Sequence, residues 1–308
     1  MLISEVAKLT PMERFAYWIT ERHSIHLRRT EQKKKAPWTD DEVLQSYFFT
    51  NPFRENDKVT QWFRTNVRDP LKESEDVLFA TICFRWFNYI PTGVALCNYR
   101  TRGGYQFDYG LLEDWRLKPA LIVLEQCSQN GQVFTGAFNI SNSGSTKPKI
   151  NRVCEDYIQP VWEDVENLVS NADTWESLEE AHTFITEYPG LGGSGFMAYE
   201  VVSDLRYTCW LRGASDILTW ANPGPGAKRG YNRLRDYPLE ARVTKSEYNI
   251  GANEVREELI CLLKKQNKYD KLPVIDARTI EHSLCEFDKY ERARLGDGHM
   301  KRTYPGKG

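Results

Sequence analysis

Residues 187–195 read EYPGLGGSG, four glycines and a proline set immediately before an amphipathic stretch, FMAYEVVSDL. Glycine backbone ahead of a helix start can do one of two things. It can make a tight turn that needs positive φ, or it can seat a phosphate, with exposed amides and the helix dipole facing the anion. A second glycine-rich stretch, NPGPGAKRGYNRLRDY (222–237), surrounds Lys228 and Arg229 with Gly224, Gly226 and Gly230 and places Arg233 and Arg235 just behind. Glycine amides with mobile cations suit a phosphate or pyrophosphate; the same residues also read as a basic surface loop. A third stretch, IEHSLCEFDKY (280–290), crowds Glu281, His282, Glu286 and Asp288, types suited to proton transfer as well as to packing and capping.

The elements that must position these groups are helical. Residues 10–30 open with a Thr-Pro cap signal and place Phe15, Trp18, Ile19, Arg22 and Ile25 near one face at helical spacing. TDDEVLQSYFFTN (39–51) predicts a second helix with Thr39 as N-cap and Glu42 completing a capping box. ENDKVTQWFRTNV, SEDVLFATICFRWFNYI, EDYIQPVWEDVENLV, SLEEAHTFITEY and VTKSEYNIGANEVREELICLLKK predict further helices, and residues 93–118 short ones around a turn at RTRGGYQF. One stretch departs from this pattern. QVFTGAFNI (132–140), β-branched and aromatic after Gln-Asn-Gly, predicts a small β insertion followed by a loop at 141–149. The tail from Gly296 is rich in glycine and lysine and predicts poor order.

Composition excludes several classes. A net charge of −2 over 308 residues gives no global case for nucleic acid, so any DNA surface must come from local clustering. Seven cysteines are scattered without a C-x-x-C pair, which points to reduced thiols and to no metal site. Apolar runs such as ALIVL are too short to span a bilayer, and MLISEVAKLT lacks signal-peptide order. No G-x-x-x-x-G-K-[ST] loop is present. Aromatic residues reach 13 %, nine of them tryptophan, and many stand beside arginine. Most suit a core, and the remainder could stack on bases.

The order SLEEAHTFITEY, PGLGG, FMAYEVVSDLRYT is a helix, a hairpin and a helix, and its P-G-x-G resembles the DNA-phosphate hairpin of the helix–hairpin–helix DNA glycosylase superfamily. The resemblance implies that Gly190, Gly192, Gly193, Ser194 and Gly195 bind a DNA backbone without reading sequence while a nucleotide is turned out. That superfamily places an essential aspartate some two dozen residues beyond the hairpin, where this chain has Asp216. Asp216 also reads as the cap of a helix at ILTWA. The iron–sulfur cysteines of that superfamily are missing, and so is the lysine that attacks the sugar, with Gly193 and Ser194 at its position. Strand cleavage is therefore not expected.

Four blocks make a narrower match: 21–62 (ERHSIHLRRT through TNPFRENDKVTQW), PGLGGSGFMAYEVVSDLRYT, GPGAKRGYNRL and IEHSLCEFDKYERARLGDG. In this order they resemble the phage α-glutamyl/putrescinyl thymine pyrophosphorylase family, also recognised as the helical domain that accompanies 5-hydroxymethyl-dUMP DNA kinases. The resemblance implies a transferase. Double-stranded phage DNA bearing a 5-(pyrophosphoryloxymethyl)uracil, made beforehand by such a kinase, would exchange pyrophosphate for a free amine or amino acid. Such chemistry needs cations for the departing anion, apolar walls against water and a carboxylate to accept a proton. The residues implied are Asp216, Glu281 and His282 for catalysis and Arg54, Lys228, Arg229 and Arg233 for the pyrophosphate. Asn51, Asp57, Glu200 and Asp204 are implied to orient substrate. Asn51, Arg54 and Asp57 recur every third residue, so a helix would align them; an ion pair between Arg54 and Asp57 is the structural alternative, and Arg206 is the alternative partner for Glu200 and Asp204.

The expected fold is mainly α, a single glycosylase-like domain in two helical lobes, with the helix–hairpin–helix at about 177–208. No resident cofactor is expected, the alternative being Mg²⁺ arriving with the pyrophosphate, and the expected setting is the cytoplasm of an infected bacterium, away from membranes. Two other functions stay open: a monofunctional glycosylase for a modified pyrimidine, and a non-catalytic DNA-binding partner of the kinase.

Overall fold

The computed structural model describes residues 1–99, 110–138, 140, 144–297 and 303. The turn expected at RTRGGYQF, part of the 141–149 loop and most of the tail lie outside the described residues. The chain divides into two compact units, Met1–Asp57 with Leu218–Gly308, and Lys58–Ile217. Both are built from helices, as expected. Among the described residues no helix is long and apolar enough to cross a membrane.

In the first unit, helix Pro11–Thr30 starts as its sequence predicts. Thr10 accepts from the Glu13 amide at 3.3 Å while Glu13 returns the bond to the Thr10 amide at 2.9 Å, a cap worth about 1 kcal/mol. Its buried face, Phe15, Trp18 and Ile19, packs with Tyr248, Val255 and Leu259 of helix Lys245–Lys265 and with Ile280, Leu284 and Phe287 of helix Ala277–Leu295. Phe15 meets Phe287 edge-on at 5.2 Å between centroids.

The expected helix at 39–51 shrinks to Glu42–Ser46, and its cap is Asp41, not Thr39. Asp41 Oδ1 accepts from the amides of Val43 and Leu44, and Oδ2 from the phenols of Tyr17 and Tyr290. Burial, reinforced by this carboxylate, holds both phenols above their usual range. Thr39 Oγ1 instead receives the Asp41 amide. A carboxylate able to serve two amides and two hydroxyls wins over a threonine two residues upstream.

In the second unit, helix Asp76–Phe87 is the axis. All residues from Val77 to Phe87 are buried, Arg85 among them, and the helix stops at Asn88, which adopts a left-handed φ of 44°. An element apolar on every side must be wrapped by others. Phe84 stacks on Phe63 at 4.8 Å, and Gly93 lies so close to Trp62 and Phe84 that a Cβ would sit 2.4 Å from the indole.

The β insertion expected at 132–140 does not form among its described residues. Among the described residues no strand lies beside it to pair with. Its backbone bonds to helical segments instead, Thr135 N donating to Phe87 O at 2.8 Å and Thr92 Oγ1 to Val133 O at 2.7 Å. Val133 and Phe134 use their apolar bulk in burial. The β bridge that does occur among the described residues joins Tyr47 and Thr303.

Candidate functional site

The hairpin belongs to the second unit. Helix Leu178–Ile185 leads into it and helix Phe196–Leu205 leaves it. Gly190, Gly193 and Gly195 all have positive φ, 78°, 67° and 67°, but the space around them differs. A Cβ on Gly190 would meet the stacked rings of Trp86 and Tyr157 at 2.7–2.9 Å, and one on Gly192 the Thr186 carbonyl at 2.9 Å. Gly190 and Gly192 are therefore demanded by packing. Nothing lies within 4 Å of a Cβ on exposed Gly193, whose amide, like that of Gly192, closes no hydrogen bond within the turn. His182 Nε2 bonds the Gly195 carbonyl at 3.0 Å and fixes the rim.

This separates charge from shape. Gly193→Asn should fold, because asparagine tolerates a left-handed φ, and should keep DNA affinity. Gly193→Asp has the same shape but adds a negative charge; it should weaken binding to any duplex roughly tenfold at moderate salt, about 1.4 kcal/mol. Fluorescence anisotropy on unrelated duplexes checks this, and equal affinity for the two variants would remove the phosphate seat.

Asp216 lies in a turn, and the helix expected at ILTWA is absent because residues 215–219 form turns only. Its carboxylate caps a different helix, accepting the Leu178 amide at 2.7 Å and the Glu179 amide at 3.1 Å. Asp216 thus anchors the head of the first hairpin helix. Glu200 and Asp204 are interior, 2 % and 0 % exposed, and neither lines a surface to which an amine has access. Asp204 takes Arg85 as its partner, not Arg206, with Arg85 Nε at 2.5 Å and Nη2 at 2.8 Å; Arg68 Nη1 stands 4.0 Å away. Arg206 lies over the Tyr207 ring instead.

The remaining candidates belong to the first unit. The stretch 222–237 is not a loop, since Pro225–Leu234 is a helix with Pro225 in its first turn. We call it the arginine helix, and Ala277–Leu295 the carboxylate helix. The glycines of the arginine helix serve proximity: a Cβ on Gly230 would lie 2.1 Å from the Leu284 carbonyl, and one on Gly226 2.6 Å from Cys285 Sγ. Burial pushes the Cys285 thiol up to about 12. Arg229 Nε and Arg233 Nε bond the two oxygens of Asp288 at 3.1 and 2.8 Å, and Arg292 approaches at 3.4 Å. Asp288 is 1 % exposed, and because Arg229 and Arg233 each donate to it through Nε, their terminal nitrogens are left to other acceptors. Lys228 does not join them, because its Nζ donates to Val243 O at 2.7 Å.

On the carboxylate helix, Glu281 pairs with Arg278 at 2.9 Å, and its charge adds to the burial that raises the neighbouring Cys285 thiol. His282 Nε2 meets Thr50 Oγ1 at 2.8 Å, and Glu286 Oε2 accepts the Thr50 amide at 2.8 Å and Lys289 at 3.1 Å. His282 and Glu286 are thus joined through Thr50. Asn51, Arg54 and Asp57 do not share a helix. Asn51 Oδ1 accepts the Phe53 amide at 2.9 Å, turning the chain at Pro52, and a single 3₁₀ turn, Arg54–Asn56, follows. The segment 49–57 is strapped at its start as well, where Arg22 Nε and Nη2 both donate to the Phe49 carbonyl at 3.0 and 2.9 Å. Thr50 and Arg278 were not singled out by sequence reasoning, and Arg22 only as a helix-face position, for which the run RHSIH, with histidines three apart, was the available signal. No group of three His, Cys, Asp or Glu side chains among the described residues forms a metal site.

Fold and site together define a two-unit helical protein with a glycine hairpin in one unit and interlocked arginines and carboxylates in the other. Residues 10–300 match the sequence model of a family described as "5-hmdU DNA kinase, helical domain", and the chain belongs to that family. A relative from Bacillus phage SP10, "5-hmdU DNA kinase", is 30 % identical over 292 residues, covering 88 % of this chain and 43 % of the relative. The chain thus spans less than half of that relative's length. No solved structure matches.

Proposed function

We propose that this protein acts in the modification of phage DNA at 5-hydroxymethyluracil, as a transferase that replaces the pyrophosphate of a 5-(pyrophosphoryloxymethyl)uracil with an amine or amino acid. The observation that carries the reading is the strapped segment 49–57. Helix Pro11–Thr30 and the carboxylate helix both hold it, through Arg22, His282 and Glu286, and it presents Asn51 and Arg54 from a fixed backbone. A transferase that expels an anion needs such preorganised donors.

In this reading Arg54 and Asn51 take the departing pyrophosphate, and Arg229 and Arg233 offer a second phosphate-binding pair, oriented by Asp288. Asp57 orients the first group. His282, linked through Thr50 to Glu286, accepts the proton that the attacking ammonium must lose, with Glu281 beside it in sequence. The amine nitrogen then bonds to the methylene carbon as the carbon–oxygen bond to pyrophosphate breaks, and that electron pair leaves on oxygen. The hairpin holds duplex DNA, and Asp216 fixes its first helix. No resident cofactor is required; Mg²⁺ arriving on the pyrophosphate is the alternative. The kinase reaction precedes this one, and the chain has no P-loop with which to carry it out. The expected setting is the cytoplasm of the infected host.

One observation favours a second reading. The chain matches a minor part of a protein named as a kinase, which would suit a DNA-binding module serving that activity. Mass spectrometry of nucleosides, after incubating pyrophosphorylated DNA with the protein and a panel of amines, separates the two. An amine-bearing nucleoside supports the transferase. Unchanged pyrophosphorylated base with every amine leaves the module, and released free base would indicate a glycosylase.

A further inference from the structure

Two buried nitrogens in the first unit have no hydrogen-bond partner and share one neighbour. Segment 49–53 crosses helix Pro11–Thr30 between two anchors. At one end Arg22 grips the Phe49 carbonyl; at the other the His23 ring meets Phe53 edge-on, 5.0 Å between centroids. Asn51 lies midway between them in sequence. His23 and Asn51 are each only 6 % exposed, yet His23 Nδ1 and Asn51 Nδ2 bond to nothing. Leaving a buried polar atom unsatisfied costs about 1–3 kcal/mol, so two such atoms on residues that both contact Phe53 call for a ligand.

The surroundings say what kind. Arg22 and His26 stand on the same helix as His23, and Arg54 follows Asn51 by three residues. Burial, then His26 and Arg22, hold the His23 imidazole below its usual range, with Glu31 opposing. His26 is lowered likewise, by burial and then by Arg22 and Arg29. A neutral imidazole can present Nδ1–H, and the asparagine amide presents N–H, so both can donate. Two donors in a cationic setting suit an oxyanion and repel an ammonium.

We infer that His23 and Asn51 together bind phosphoryl oxygens of a diphosphate, making His23 a further binding residue of the site. The identification of that diphosphate as the leaving group rests on the transferase reading; the binding itself does not.

Isothermal titration of the full chain with inorganic pyrophosphate tests this, with orthophosphate as the comparison. Asn51→Asp keeps the oxygen that receives the Phe53 amide but loses the donor, and His23→Phe keeps an aromatic ring against Phe53. Wild type should bind pyrophosphate more tightly than orthophosphate, and each variant should lose at least tenfold while its binding of unmodified duplex stays within twofold. If a variant fails to fold, ¹⁵N spectra of histidine-labelled wild type replace it: pyrophosphate should move the His23 Nδ1 resonance. No pyrophosphate binding by wild type, unchanged affinity in folded variants, or an unmoved His23 resonance at saturation would each overturn the inference. Pyrophosphate bound through His23 and Asn51 by a protein that makes no amine-bearing nucleoside upholds the inference and removes the transferase. Amine transfer with His23→Phe at unchanged pyrophosphate affinity does the reverse.

Discussion

Arg85→Met is expected to cost the unit Lys58–Ile217 about 3–5 kcal/mol, the usual penalty for stranding one member of a buried ion pair. Arg85 and Asp204 are 1 % and 0 % exposed and joined through two hydrogen bonds. Methionine can follow the path of the arginine stem, so the loss is one of charge more than of volume. Arg68, 4.0 Å from Asp204, compensates only in part. Domain stabilities commonly total 5–15 kcal/mol, so a large share of the margin disappears. The double variant Arg85→Met/Asp204→Leu should regain at least half of the loss, since no isolated charge remains. Urea unfolding followed by tryptophan fluorescence measures both. A single variant as stable as wild type would show that Arg85 and Asp204 are dispensable. The pair also joins the axial helix to the second hairpin helix, so the damaged protein should lose DNA affinity together with its fold.

The second large effect concerns chemistry. Arg54→Met should reduce amine transfer in a single turnover by roughly 30- to 1,000-fold, or about 2–4 kcal/mol of transition-state stabilisation, with affinity for unmodified duplex within about threefold. The reasoning is electrostatic. As the carbon–oxygen bond stretches, negative charge collects on the pyrophosphate, and a guanidinium fixed by a strapped backbone stabilises that charge without reorganising. The assay needs DNA bearing the pyrophosphorylated base, saturating amine and a circular dichroism check on folding. A folded Arg54→Met that transfers amine at the wild-type rate would shift the leaving group to Arg229 and Arg233.

Helical class was legible because it rests on local periodicity. Thr10 caps its helix where the Thr-Pro signal places the start, and Thr10 and Thr244 each do so with the glutamate three residues on. Thr39 failed because the competing cap, Asp41, gains from Tyr17 and Tyr290, which come from distant parts of the chain. The stretch at 132–138 failed for a similar reason. Strand propensity is a preference for a pleated, half-buried neighbour, and helices supplied the burial without the pleat. The glycines of 222–230 suited either an anion or a surface loop by sequence, whereas Gly226 and Gly230 are room for a neighbouring helix and Gly224 stands open. Asp216 is instructive in another way. Its spacing from the hairpin singled it out, and that length of chain is also what returns it to the head of helix Leu178–Ile185. His23 escaped notice because a buried nitrogen with no partner is visible only once the partners around it are placed.

The close approach of the arginine helix to the carboxylate helix carries a consequence for how this sequence can change. Gly226 and Gly230 repeat every four residues, and so do Arg229 and Arg233. The glycines set the rotational phase of the helix, because only they let the neighbouring backbone so near. The arginines are therefore clocked to Asp288 by residues that never touch it. Inserting one residue between Gly226 and Arg229 would turn the later positions by about 100°, bringing a side chain against the Leu284 carbonyl and swinging both guanidiniums away. Only substitutions that keep the count preserve this phase. A change of length here breaks the pairing as surely as loss of an arginine.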